Sequence, residues 1–107
     1  MRAVMIGDLM ALARGISGLP AAKRVSECLR AFDCAHVADK YRKRFGRLHP
    51  KWGNGSVMGF ALLAYGGHRR HDLSDPAYCA AFEIVLKALR LWRLSQSRRT
   101  CISEPPD

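Results

Sequence analysis

Residues 40–56 read KYRKRFGRLHPKWGNGS, and no single helix or strand accommodates this stretch. It holds Gly46, Pro50, Gly53, Asn54 and Gly55, residues that end regular structure or supply turn conformations. It also holds six of the eighteen lysines and arginines, one of the two tryptophans and no acid. On either side the apolar residues recur at helical spacing. The chain must therefore fold as helices joined through a structured, basic connection.

Upstream, Leu9, Leu12, Ala13 and Ile16 fall on one face of a first helix, which Asp8 is placed to cap. Gly15 weakens that helix, and Gly18-Leu19-Pro20 ends it. A second helix is expected from about Pro20 to Phe45. Its apolar residues change sides midway: Val25, Cys28, Leu29, Phe32 and His36 form one stripe, while Cys34, Val37, Ala38, Tyr41 and Phe45 form another. One long helix touching different partners at its two ends is the favoured reading, and a break between Asp33 and His36 is the alternative. Gly46 is placed to cap its end after Arg42, Lys43 and Arg44. The cations of that last turn complement the helix dipole, but Arg47 and Lys51 lie beyond it.

Downstream, Leu48-His49-Pro50 is extended by the restriction that proline places on its predecessor. Gly53-Asn54-Gly55 is placed to reverse the chain, and Ser56 to cap a third helix, Val57 to Tyr65. That helix is apolar on all sides, which predicts burial. Gly66-Gly67 ends it, and residues 68–74 read as a polar loop. Ser74-Asp75-Pro76 then starts the last helix, expected to run to about Ser95. Tyr78, Phe82, Val85, Leu89 and Trp92 line its core face, widened by Ala81, Ile84, Ala88 and Leu91, so it reads as the central packing helix. Residues 96–107 lose the periodicity and read as a flexible tail. The fold class is all-α, a small irregular four-helix bundle forming one domain over residues 1–107.

Function is less legible. The charge of +9 on 107 residues favours acidic protein faces, phosphate backbones or anionic lipid heads. No apolar run is long enough to span a bilayer. The opening residues superficially resemble a signal peptide, but Asp8 and Arg14 interrupt them, so a cytoplasmic protein is expected. Cys28, Cys34, Cys79 and Cys101 lack the spacing of a disulfide framework or zinc knuckle. His36, one turn from Asp39, has the arrangement of an oriented base, although a packed histidine with a neighbouring partner is the commoner cause. His68, His71 and Asp72 do not have the spacing that makes a zinc site convincing. Gly53-Asn54-Gly55-Ser56 is a turn and a cap without the lysine of a phosphate-binding loop. No catalytic residue, metal site or cofactor is expected, and the reading leans away from an enzyme.

The connection itself carries the functional reading. Arg42, Lys43, Arg44, Arg47, His49, Lys51 and Trp52 form a basic, aromatic surface. An adaptor that binds an acidic protein surface through these residues is the leading reading. A nucleic-acid-binding protein using the same residues is the alternative, since cations can meet phosphates while rings stack on bases.

The segment from Gly46 to Met58, GRLHPKWGNGSVM, following an opening MRAVMIGDLMALAR, resembles a family of small bacterial proteins of unknown function. The resemblance extends to the last helix. It implies a compact helical domain and assigns no activity, cofactor or functional residue.

Overall fold

Proline and glycine mark the helix boundaries, as their backbone chemistry requires. The computed structural model describes residues 1–66 and 72–103, with side chains described through residue 97. Four helices appear in order: α1 Ile6–Ile16, α2 Ala21–Phe45, α3 Val57–Tyr65 and α4 Pro76–Ser103. No strand accompanies them among the described residues, so the all-α bundle is the observed fold. No described helix is long and apolar enough to cross a membrane.

Asp8 does more than cap a helix end. The helix begins two residues earlier than expected, at Ile6, so Asp8 lies inside its first turn. Its carboxylate reaches back to accept from the Met5 N–H at 2.8 Å and outward to accept from the Met58 N–H at 2.9 Å. One buried side chain thus satisfies backbone donors at the start of both α1 and α3, and it pins the two helices together. Gly15 likewise has a packing role. A Cβ there would collide with the ring of Tyr65, so glycine is what lets α1 lie close against α3. The Tyr65 hydroxyl in turn donates to Glu27 at 2.6 Å, tying α3 to α2.

The second helix is unbroken. Its buried line is Cys28, Ala31, Phe32, Ala35 and Ala38, with Cys34 beside it. Val25, Val37 and Phe45, expected on core stripes, are exposed. Small residues resolve the apparent change of sides: the alanines carry the buried line along one flank. Burial pushes the Cys28 thiol up to about 12, so it remains protonated and inert. Gly46 ends the helix in the left-handed region, φ 69°, with its N–H donating to the Arg42 carbonyl at 2.8 Å.

The core joins all four helices: Leu12 and Ile16 from α1, Phe32 from α2, Val57 and Phe60 from α3, and Tyr78, Val85 and Trp92 from α4. Phe32 and Trp92 meet at a ring separation of 6.2 Å. The polar ends of the α4 rings are satisfied, as buried Tyr and Trp require: the Tyr78 hydroxyl donates to the Met10 carbonyl at 3.3 Å, and Trp92 Nε1 donates to Asp33 at 2.9 Å.

Three expectations need correction. The third helix is not largely buried: Val57, Phe60 and Ala61 are, whereas Met58, Leu62 and Leu63 are exposed. A short helix laid on one side of α1 has only one face to bury, whatever its composition. On α4, Leu91 also faces outward, and Leu89 is only half-buried. Finally, α4 continues through Gln96 to Ser103, because nothing before Pro105 breaks it. Its cap is Asp75, whose carboxylate accepts from the Ala77 N–H at 3.0 Å.

Candidate partner-binding surface

Two devices make the basic connection rigid. The first is a reversal centred on Pro50-Lys51-Trp52, three residues earlier than the glycines suggest. His49 and Gly53 pair across it, with N–H to carbonyl distances of 3.0 Å and 3.4 Å. The His49 ring closes the turn from inside, its Nδ1 accepting from the backbone N–H groups of Lys51 and Trp52, both at 3.1 Å. The second device is a run of rings. Trp52 stacks flat on His49 at 4.6 Å, His49 meets Tyr41 edge-on at 5.0 Å, and Tyr41 meets Phe45 at 4.7 Å. The turn is therefore fastened to the last two turns of α2.

The glycines set how the connection lies on the helices. Gly55 has φ 93°, and a Cβ there would lie 2.7 Å from the Asp39 Cα, so the chain crosses α2 in backbone contact. Gly53 has φ 84°, and its Cβ would lie 3.1 Å from the Leu63 side chain, so the turn abuts α3. Asn54 then accepts from the Ser56 N–H and hydroxyl, at 2.9 Å and 2.6 Å. The Ser56 hydroxyl oxygen in turn accepts from the Gly59 N–H at 2.9 Å, which caps α3.

The seven residues singled out by sequence divide on this frame. His49 and Trp52 are parts of the turn, one face of each ring stacked on the other. Lys43 is paired with the buried Asp39 at 3.0 Å. Arg44 lies over the Phe45 ring at 5.4 Å. Arg42, Arg47 and Lys51 are exposed, and among the described residues their side chains meet no carboxylate. Sequence reasoning missed the exposed face of α3 that borders the turn, where Leu63 is 64 %, Leu62 46 % and Met58 37 % exposed. The available signal was a nine-residue helix apolar on every side, a pattern that suits burial and a bare contact face equally.

His36 is a packed residue. Its Nδ1 lies 2.6 Å from the Met1 amino group, and its ring meets Trp92 edge-on at 5.5 Å. Burial holds the imidazolium below its ordinary value of 6.5; the Met1 ammonium and Lys40 add to this, and Asp39 and Asp33 oppose it. The amino group is itself pushed down from 8.0 by burial, against the pull of Asp39 at 3.5 Å. A base whose folded value is depressed contributes stability in full above its unfolded value and loses it as pH falls through that value toward the folded one. The expected result is a urea midpoint that declines as pH drops from about 7.5 to about 5.5, less steeply in His36→Gln. Equal slopes in the two proteins would show that His36 does not titrate against the fold.

Asp33 and Trp92 line a cleft between α2 and α4 together with Leu29, Leu91, Ser95 and Gln96, and its one carboxylate already accepts from Trp92. No group of three potential metal ligands occurs among the described residues. His68 and His71 lie outside the described residues.

A family model described as a domain of unknown function, DUF7742, matches residues 2–89. That span includes the first three helices, the basic connection and about half of α4. No curated protein and no solved structure matches the chain.

Proposed function

The chain belongs to the DUF7742 family, and we propose that it is a non-enzymatic adaptor whose basic connection binds an acidic protein surface. One observation carries this reading. Arg42 in the last turn of α2, Arg47 just after it and Lys51 on the turn locked by rings and hydrogen bonds are exposed, and among the described residues none of them meets an acid. Fixed, unpaired cations are suited to steering and orienting an acidic partner. Arg42 complements the dipole of α2, whereas Arg47 and Lys51 lie beyond that helix and have no evident role in stabilising the fold. The reading takes residues 1–107 as a single domain of a bacterial, cytoplasmic protein, with the GRLHPKWGNGS segment as its contact region.

Nucleic acid is the competing partner for the same cations. What favours a protein is the state of the rings, since His49 and Trp52 spend one face on each other, His49 also meets Tyr41 and Trp52 also packs against the core. The double variant Arg47→Gln/Lys51→Gln separates the two. Both sites are exposed, so stability should change by no more than about 0.5 kcal/mol. The wild type is expected to retain a partner protein in a nuclease-treated pull-down, and the variant to lose it. Labelled duplex and single strand should bind only weakly at physiological salt. Micromolar binding of either strand form at that salt, with a salt slope that drops by about one to two in the variant, would overturn the ranking.

A further inference from the structure

We infer that the acidic partner docks as an amphipathic helix, its apolar side on Met58, Leu62 and Leu63 of α3 and its acidic edge on Arg47 and Lys51. The inference rests on the adaptor reading and adds the form of the partner. The three apolar side chains occupy the outer side of α3, the side turned away from buried Val57, Phe60 and Ala61. Leu63 packs beside Gly53, whose paired turn carries Lys51, so the apolar face adjoins the cationic turn. Met58 borders the start of α1, where a Cβ on Gly7 would lie 2.9 Å from its methyl group. The surface is thus apolar along α3 and cationic along its turn side.

Charge complementarity selects the occupant. The sequence holds no Asp or Glu between Asp39 and Asp72, a run that spans the turn and all of α3. A helix with leucines at spacing three and four fills such an apolar face, and carboxylates along one edge meet the cations. A lipid surface fits less well, because an interfacial helix carries cations along its own polar side, whereas Val57–Tyr65 has neither a cation nor a polar side.

The test uses the full chain and a fluorescent synthetic helix with leucines at spacing three and four and glutamates along one edge. A control peptide keeps the glutamates and replaces the leucines with glutamine. The leucine peptide is expected to bind, and the Leu62→Ser/Leu63→Ser variant to bind it about tenfold more weakly, the scale of a central apolar contact. Arg47→Gln/Lys51→Gln should also weaken binding and flatten its salt dependence, and the control peptide should bind weakly to all three proteins. Both leucines are exposed, so circular dichroism should show the serine variant folded; Leu63→Gln alone provides a milder form of the same test. Unchanged binding by the serine variant, with loss only in the cation variant, would overturn the docking inference and leave the adaptor reading standing. Failure of the leucine peptide to bind the wild type would overturn the docking inference, and the nuclease-treated pull-down would still decide the adaptor reading. Binding to phosphatidylserine vesicles in place of the peptide would assign the face to a membrane. Self-association of the wild type that the serine variant abolishes would assign it to a second copy of the chain. Either result would overturn the proposal.

Discussion

Phe32→Ala is expected to cost about 3–5 kcal/mol, the range for truncating a fully enclosed aromatic residue. Phe32 has no exposed surface, lies midway along α2 and meets Trp92 of α4. Removing its ring leaves a cavity between the two longest helices, which cannot close it without separating from α1 and α3. A domain of this size has about 5–15 kcal/mol in total, so the variant should be close to unfolding at body temperature. Leu89→Ala is the informative comparison, because Leu89 follows the same apolar spacing on α4 but is only half-buried. Its loss should be clearly smaller. Urea titrations of both variants measure this directly, and a midpoint for Phe32→Ala no lower than that for Leu89→Ala would place the core elsewhere.

Asp8→Ala is expected to cost about 2–4 kcal/mol although it removes no apolar surface, since two backbone donors would lose a charged acceptor. The N–H groups of Met5 and Met58 sit at the starts of α1 and α3, where neither has a partner within its own helix. Asp8→Asn keeps one acceptor oxygen and should recover part of the loss. Hydrogen exchange adds a readout that global stability does not, because the Met58 amide should become exchangeable in Asp8→Ala while the α4 amides stay comparatively protected. Unchanged protection at Met58 would mean that the α1–α3 link is not made by this carboxylate.

These expectations also show where sequence reading runs out. Asp8 is recognisable as a capping residue because a carboxylate before an apolar run has few other uses. That it caps two helices at once depends on α3 arriving fifty residues later, and no local pattern encodes that meeting. The same holds for Gly15. As a sequence letter it reads as a weak point in a helix, and in the fold it is the gap that admits Tyr65.

The candidate surface divides the same way. The cations of residues 40–56, the end of α2 at Gly46 and the start of α3 at Ser56 follow from residue chemistry, because capping and positive-φ preferences act over a few residues. The sequence by itself therefore determined that four helices form and approximately where each begins and ends. It also determined that their longest connection is basic and structured. Only the tertiary structure decided which sides of those helices are covered. Alanines made the buried line of α2, while Val25 and Val37 were left to solvent. The apolar α3 was half bared beside the cationic turn, because a nine-residue helix against α1 can turn only one side inward. Burial depends on which neighbours reach a residue, and that is a property of the assembled helices that the spacing along any one of them does not contain.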